Sequence, residues 1–364
     1  MKQNGETLKR LKSCEEFGIP SIDCVVYHKG NCVFRYQSGY SDEARKKPVD
    51  GTERYNIYSC SKVITCTAVM QLVEKDVIRL DDAVYEYLPE FHDMKKIVDG
   101  RLEPVKNTMT VRHLMTMTAG LTYNTLSENL QRGKQETGGR MPTREAMKYL
   151  ACDPLVFEPG SSWRYSLCHD VLAAIVEVVS GKRFGLYVKE NIFDRVGMKH
   201  STFLLPDNEL PGITAQYRYD AQSGKYNPCG PQIQTYKLGS EYESGGAGCI
   251  STADDYIAFL ENLCSGETLL RRDTIARMIC PQIGKNAETA YHQTIQPEYS
   301  YGLGVRCPKP GSNALDWGWG GAAGAHLAII PSLEITLFYV MHVLGSPVQE
   351  RRKKLTEAAI LDII

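Results

Sequence analysis

The stretch from Ser59 to Met70 reads SCSKVITCTAVM and carries the pattern from which the fold is predicted. It holds the one S-x-x-K spacing of the chain, from Ser59 to Lys62. A serine hydroxyl is a poor nucleophile until a neighbour takes its proton, and positions i and i+3 share a helix face. The apolar residues that follow predict a buried helix over 63–73, so Lys62 needs a partner. On spacing alone, Ser59 as a helix cap and Lys62 as a surface side chain remain the alternative.

The composition of the whole chain is that of a globular protein. Its 364 residues are 43% hydrophobic and 23% charged, with a formal net charge of -1. A nucleic-acid-binding protein normally carries a basic surplus, and the longest basic run here is Arg351–Lys354. We interpret that run as the solvated face of a C-terminal helix. No apolar segment approaches the ~20 residues that span a bilayer, so we expect neither a nucleic-acid nor a membrane partner.

The cysteines and histidines indicate no disulfide framework and no metal site. Twelve cysteines are scattered without a C-x-x-C pair, and the N-terminus has no apolar core of the signal-peptide type. Buried thiols behave as small hydrophobic groups, so we expect a reduced, cytoplasmic protein. The eight histidines are dispersed without ligand-like pairing.

Strand patterns lie at the two ends of the chain and helix patterns in its middle. A helix is predicted in the first dozen residues, and the Gly-Asn in the 28–31 turn predicts a hairpin. The fold class is therefore α+β: an antiparallel sheet from both termini, flanked by helices, plus an all-helical lobe. We assign 1–70 and 300–364 to the sheet lobe and 71–299 to the helical lobe, with the active site in the cleft between them. The segments that this assignment uses are strands at 21–27, 32–36, 303–305, 324–330 and 334–343, and helices at 76–87, 171–179 and from about Val348.

Two further features could carry chemistry. Tyr165 lies in FEPGSSWRYSL, residues 157–167, and a phenol can act as a base only where nearby cations stabilise the phenolate. Lys62 could be that cation. Residues 317–324 read WGWGGAAG and lead into a strand, where glycines allow close backbone approach and an N–H can face an oxyanion. A tight sheet bend packed beneath two tryptophans is the alternative for this segment.

In this order, the three features resemble the serine β-lactamase and penicillin-binding-protein superfamily. The match is to its class C-like branch, which contains β-lactamases, D-stereospecific peptidases and family VIII-type carboxylesterases. The resemblance implies the β-lactamase and transpeptidase-like fold. It covers most of the chain, through LVE at 72–74, LDD at 80–82, YLPEF at 87–91, TVRHL at 110–114, AGL at 119–121, PG at 159–160, GGAG at 245–248 and STADD at 251–255.

The resemblance implies a role for each matching residue. Ser59 would form an acyl-enzyme and Lys62 would assist its activation. Tyr165 would be the general base of acylation and would return the proton to the leaving group. The oxyanion hole would be the backbone N–H groups of Ser59 and Ala322. The triplet Trp319-Gly320-Gly321 stands where this family has K-T-G or H-x-G, and no metal or cofactor is implied.

Two departures from the family pattern concern the substrate. Leu167 replaces an asparagine whose amide could bind a substrate carbonyl. Trp319 replaces a lysine or histidine, so a cationic anchor for a substrate carboxylate is missing. β-Lactams and peptides ending in D-alanine both present such a carboxylate, whereas these forms look like the esterase-type members. His169, four residues after Tyr165, could line the same face, and we interpret it as structural.

Three functions follow as hypotheses. The first is a carboxylesterase or amidase that acts on small acyl compounds through an acyl-enzyme. The second is a β-lactamase or D-amino-acid-specific peptidase, against which the residue at 319 counts. The third is a non-catalytic acyl-binding protein on the same fold. The partner is in each case a small ester, amide or lactam, and the sequence does not indicate an oligomeric state.

Overall fold

The computed structural model describes residues 5–230, 236–266, 268–348 and 352–364, and its strands come from both ends of the chain and from the middle. In chain order, the strands are β1 (Ser21–His28), β2 (Asn31–Gly39), β3 (Tyr55–Asn56), β4 (Lys95–Val98), β5 (Arg101–Pro104), β6 (Tyr217–Asp220), β7 (Lys225–Pro228), β8 (Ile250–Ser251), β9 (Tyr299–Tyr301), β10 (Arg306–Pro308), β11 (Trp317–Gly320), β12 (His326–Ile330), β13 (Ile335–Val340) and β14 (Val343–Leu344).

The helices lie mainly between β3 and β9. In chain order, they are α1 (Glu6–Glu15), α2 (Ser61–Glu74), α3 (Val84–Tyr87), α4 (Val111–Met115), α5 (Glu128–Glu136), α6 (Thr143–Leu150), α7 (Cys168–Ser180), α8 (Phe184–Val188), α9 (Asp194–Val196), α10 (Ala253–Ser265), α11 (Arg272–Met278), α12 (Lys285–Tyr291) and α13 (Arg352–Ile363). Short 3-10 helices cover Tyr58–Cys60, Pro89–Phe91, Asp207–Gly212 and Pro331–Leu333, and a π-helical turn covers Lys189–Phe193.

The predicted antiparallel sheet from both termini is confirmed. Its order, over the described residues, is β2-β1-β13-β12-β11-β10-β9, and every neighbouring pair is antiparallel. The first hairpin turns at Lys29 and Gly30, whose φ angles are 52° and 75°. Two consecutive left-handed residues match the right-handed twist of the strands. The mixed α/β architecture with antiparallel sheets agrees with the predicted fold class.

The central strand β13 is buried on both faces, because side chains of a strand alternate between faces. Leu337 and Tyr339 join a cluster that contains residues of α1 and α13. Phe338 and Val340 join the larger core, which holds α2, α7 and α10. Helices therefore cover both faces of the sheet, and one of the two cores continues into the helical middle of the chain.

Some predicted elements differ from the structure. The segment 303–305 is a turn between β9 and β10, since Gly304 has a φ of 81° and packs against Cys66. The helix predicted over 76–87 is reduced to α3, and the middle of the chain also contains the β4–β5 and β6–β7 hairpins. The last helix is described over Arg352–Ile363, and Val348, where the sequence predicts its start, lies in a turn. Arg351, the first residue of the basic run, lies outside the described residues.

The boundaries of the two predicted lobes stay a prediction. One helix within 71–299, α10, packs against β13 and β1 of the sheet.

Among the described residues, we find no helix that is both long and apolar enough to cross a membrane. All twelve cysteines, which lie within the described ranges, carry free thiols.

Candidate active site

Ser59 sits on a tight turn at the start of α2. The 3-10 turn Tyr58–Cys60 leads directly into α2, and Ser59 is 8% exposed. Tyr58 has a φ of 48°, a left-handed conformation that a bulky residue rarely adopts. Two hydrogen bonds hold the turn: Ser61 Oγ donates to the Tyr58 carbonyl at 2.5 Å, and the Tyr58 hydroxyl donates to Gln216 Oε1 at 2.9 Å. Such strain is found at functional sites that the surrounding structure over-determines.

Lys62 is fully buried and points at Ser59. Its Nζ lies 3.3 Å from Ser59 Oγ and donates to the Gly246 carbonyl at 2.7 Å. Thr65 Oγ1, one turn further along α2, donates to the Gly245 carbonyl at 2.6 Å. The GGAG segment therefore docks on α2 and supplies the partner that a buried lysine requires.

Tyr165 completes a triangle with these two residues. Its hydroxyl forms a short hydrogen bond with Ser59 Oγ. Lys62 Nζ lies 4.5 Å from the centroid of the Tyr165 ring, within the range of a cation–π contact. The ring stacks with Tyr123, at 5.5 Å and 6°, and with Trp319, at 6.0 Å and 15°. Aromatic packing therefore helps to hold its orientation toward Ser59.

A buried carboxylate, Asp170 of α7, lies beside this triangle. Its Oδ1 accepts hydrogen bonds from Ser244 Oγ at 2.6 Å and from the Tyr242 hydroxyl at 2.8 Å. Burial raises the pKa of Asp170, and the Ser244 hydrogen bond and the charge of Lys62 oppose that rise. A Cβ atom on Gly246 would lie 2.6 Å from Asp170 Oδ2 and 3.4 Å from Lys62 Nζ. A glycine at 246 therefore allows the backbone to approach both the Asp170 carboxylate and the Lys62 ammonium closely.

The turn after β11 forms the opposite wall of the site. Gly321 donates its N–H to the Ala325 carbonyl at 2.8 Å, and Gly324 donates to the Gly321 carbonyl at 3.0 Å. A Cβ atom on Gly321 would lie 2.3 Å from the carbonyl oxygen of Ile57, two residues before Ser59. This close approach seats Ala322 on the same cleft as Ser59.

A cleft of about 800 Å³ opens between these walls. The sequence-predicted residues Ser59, Tyr165 and Ala322 line it, as do all three members of the triplet at 319–321. Trp319 is 8% exposed and also packs edge to face on Tyr301, with the ring centroids 5.3 Å apart. Lining residues that the sequence reasoning missed are Phe157, Ser162, Trp163, Arg164, Ala290, Gln293, Thr294, Ile295, Arg306 and His326.

Three residues considered from the sequence do not line the cleft: the buried Lys62 described above, Leu167 and His169. Leu167 is 1% exposed and packs in the hydrophobic core just before α7, so substrate contact by its side chain is corrected to a packing role. His169 is fully buried behind Lys62, and burial together with that charge holds the pKa of His169 well below its usual range. It is therefore a neutral, interior imidazole. Within the described ranges, no cluster of three or more His, Cys, Asp or Glu side chains could hold a metal ion.

Asp170 was missed although the sequence carries a signal for it. The helix HDVLAAIVEVVS places one carboxylate at the start of an otherwise apolar face. A charged residue in a buried helix calls for a partner, by the same reasoning that singled out Lys62. The contacts at Gly246 show that the two charges lie near each other.

Comparisons with known proteins agree with this geometry. The family model described as Beta-lactamase matches residues 11–361. Acyltransferase calJ of Penicillium decumbens is 31% identical over 265 residues, which are 70% of this chain and 63% of calJ. The match thus spans less than two thirds of that relative. Esterase EstB of Burkholderia gladioli is 27% identical over 290 residues, 73% of this chain and 71% of EstB.

A solved structure shows the same fold over nearly the whole chain. It is EstCE1, described as a hydrolase with promiscuous acyltransferase activity. The TM-score is 0.78 at 25% identity, and the match covers 97% of this chain and 98% of EstCE1. The resemblance inferred from the sequence motifs is confirmed.

Proposed function

The chain belongs to the β-lactamase family, and from this membership we propose that it is a serine esterase that works through an acyl-enzyme on Ser59. The observation that carries the proposal is the triangle of Ser59 Oγ, Lys62 Nζ and the Tyr165 hydroxyl. Nucleophile and base lie within hydrogen-bond reach, and a cation faces the base. The relatives named as esterase and acyltransferase support the same chemistry.

The first half of the reaction acylates the enzyme. Ser59 Oγ attacks the ester carbonyl carbon while the phenolate of Tyr165 takes the serine proton. The Lys62 ammonium stabilises that phenolate and the developing charge on Oγ. The tetrahedral oxyanion accepts hydrogen bonds from the backbone N–H groups of Ser59 and Ala322. When the carbon–oxygen ester bond breaks, Tyr165 gives its proton to the leaving alkoxide, and an alcohol departs.

The second half returns the enzyme to its starting state. Tyr165 takes a proton from a water molecule, whose oxygen attacks the acyl carbon. The intermediate collapses, the bond to Ser59 Oγ breaks, and the serine recovers its proton from Tyr165. If an alcohol takes the place of water, the same steps transfer the acyl group to it. A cleft of about 800 Å³ has room for an acyl chain together with an acceptor alcohol, which makes acyl transfer the second candidate.

The esterase proposal is tested by labelling and turnover. A fluorophosphonate probe should label the wild-type protein and the control Ser162→Ala, whose serine lines the same cleft, but not Ser59→Ala. Ser59→Ala should also lose hydrolysis of 4-nitrophenyl acetate. An unchanged rate in this variant would overturn the proposal, and stoichiometric acylation without turnover would favour the non-catalytic acyl-binding protein.

The role of the base is tested by a matched pair of tyrosine variants. Tyr165→Phe removes the hydroxyl that reaches Ser59 and should lower kcat by about 100- to 10,000-fold. Tyr123→Phe keeps the stacked ring and should change kcat far less. A kcat of Tyr165→Phe no lower than that of Tyr123→Phe would contradict the role of the Tyr165 hydroxyl as the base.

Alternative substrates are separated by three measurements. Transfer is measured as butyl ester formed when 1-butanol is added to the ester assay. Nitrocefin turnover and D-alanine release from peptides test the β-lactamase and peptidase hypothesis. We expect neither nitrocefin turnover nor D-alanine release, because Trp319 stacks on Tyr165 where the family pattern has a cation.

A cytoplasmic location remains part of this proposal and is tested by fractionating cells of the source organism.

A further inference from the structure

The cleft carries an imbalance of charge. Of its lining residues, all of which lie in the described part of the chain, Arg164, Arg306 and His326 are basic and none is an aspartate or glutamate. The chain as a whole has a formal net charge of -1, so this positive character is local to the cleft. A cleft lined by one sign of charge concentrates ligands of the opposite sign.

Arg306 is already neutralised by its surroundings. It is 5% exposed and forms a close ion pair with Asp316. Its guanidinium lies 4.3 Å from the centroid of the Tyr299 ring, and the Tyr299 hydroxyl donates to Asp316 Oδ1 at 2.5 Å. Arg306 of β10, Asp316 just before β11 and Tyr299 of β9 thus contact one another.

Arg164 is the cation that is not neutralised in this way. It is exposed, precedes the proposed base Tyr165, and its backbone N–H is fixed by the Met117 carbonyl at 3.0 Å. Over the described residues, its side chain has no ion pair and no hydrogen bond. The acidic residue of the same loop, Glu158, is occupied by Lys96 at 2.7 Å and by backbone N–H groups of 106 and 107.

We propose that Arg164 binds an anionic group, a carboxylate, on the acyl ester that the cleft accepts. The inference rests on the proposed esterase function and specifies its substrate class. A guanidinium presents paired N–H donors that match a carboxylate, and such charge-assisted hydrogen bonds are among the strong ones. Arg164 lies one residue from the base, so the carboxylate would be bound at a different place from position 319, where the family pattern has its cation.

The carboxylate can be on either side of the scissile bond, and three esters distinguish the two positions. Phenyl butyrate is neutral, monophenyl succinate carries the carboxylate on the acyl part, and 4-(butyryloxy)benzoate carries it on the leaving group. The quantity to measure is the ratio of kcat/KM for each anionic ester to that for phenyl butyrate. The intrinsic reactivity of each ester is the same for every variant, so it cancels when this ratio is compared between variants.

Arg164→Gln should lower that ratio by about tenfold for at least one anionic ester, and Arg164→Lys should restore part of it. Arg195→Gln removes an exposed arginine that does not line the cleft and should leave the ratio as in the wild type. Raising NaCl from about 20 to 500 mM should narrow the difference between wild type and Arg164→Gln, because salt screens exposed charges. An unchanged ratio in Arg164→Gln for both anionic esters would overturn the inference.

A binding measurement tests the role of Arg164 without relying on turnover. In the Ser59→Ala background, quenching of the cleft tryptophans Trp163 and Trp319 reports binding of the same three esters. Arg164→Gln should weaken binding of an anionic ester by about tenfold relative to phenyl butyrate. If the wild type hydrolyses none of the esters, the esterase proposal fails while this measurement still decides the role of Arg164. Equal binding of anionic and neutral esters by both proteins would refute it.

Discussion

The approach of Gly321 to Ile57 makes a quantitative prediction about the oxyanion wall. An alanine Cβ at 321 would lie 2.3 Å from the Ile57 carbonyl oxygen and 3.1 Å from the Ala325 Cβ. Real Cβ contacts essentially never fall below 3.0 Å, so the turn or the Ile57 backbone must move by about 0.7 Å or more. Neither can give way as a flexible side chain would, because the nearest atom belongs to the backbone.

This displacement separates Ser59 from Ala322, which the proposed mechanism needs as paired donors. A misplacement near 1 Å can cost about 100-fold in rate, and loss of one oxyanion donor costs about 100- to 1,000-fold in kcat, or ~2.7–4 kcal/mol. We therefore expect Gly321→Ala to reduce kcat for 4-nitrophenyl butyrate by about 100-fold. The change in KM should be smaller, since the aromatic walls of the cleft are untouched.

The assay compares Gly321→Ala with a glycine variant that meets no obstacle. Gly284→Ala adds a Cβ with nothing within 4 Å, and its backbone does not adopt a left-handed φ. Circular dichroism spectra like that of the wild type, and thermal unfolding midpoints above the assay temperature, establish that both variants are folded. The reasoning is refuted if folded Gly321→Ala keeps kcat within about threefold of Gly284→Ala.

Two further predictions concern stability. Burial raises the pKa of Asp23 to about 6, although the charge of Arg35 opposes this rise. The carboxyl of Asp23 therefore binds its proton more tightly in the native protein than in the unfolded chain. The protonated carboxyl contributes to the free energy of unfolding below about pH 4, and this contribution is lost as the pH rises through 6. Urea unfolding should show the free energy of unfolding of the wild type falling, relative to Asp23→Asn, by about 2 kcal/mol from pH 4 to 7, and a pH-independent difference would contradict this. Gly304→Ala should lower the free energy of unfolding by about 1–3 kcal/mol more than Gly311→Ala. Both glycines have a φ near 80°, but only an alanine at 304 places a Cβ 2.0 Å from Cys66 Sγ. Equal losses in the two variants would show that backbone strain alone causes the destabilisation.

Local sequence signals predicted the parts of the fold that depend on neighbours in the chain. The Lys29-Gly30 turn and the apolar run after Lys62 each carry their own reason for forming. The segment at 303–305 reads as a strand because its residues are apolar. Its turn conformation comes from the contact of Gly304 with Cys66, more than 200 residues away in sequence, which no local pattern contains.

The candidate site shows the same division. The S-x-x-K spacing places Ser59 and Lys62 on one helix, so their proximity could be predicted from sequence. The meeting of Lys62 with Gly246 and of Ser59 with Tyr165 spans sequence separations of 184 and 106 residues. The contact of Lys62 with Gly246 was not predicted, and for Ser59 and Tyr165 only the order of motifs along a known family supported the prediction. Arg164 had no such motif, and its significance depends on the absence of acidic side chains from the rest of the cleft lining.

The two departures from the family pattern, Leu167 and Trp319, both lie close to the proposed base. Leu167 packs in the core at the start of α7, which fixes the backbone two residues after Tyr165. Trp319 lies nearly parallel to the Tyr165 ring, and Tyr123 also stacks with that ring. A lysine at 319 would bring a second cation to this ring but remove one of the planes that orient it. Substrate selection at 319 is therefore coupled to the placement of the base, and a change of specificity made at this position has to restore the packing of Tyr165 by other means.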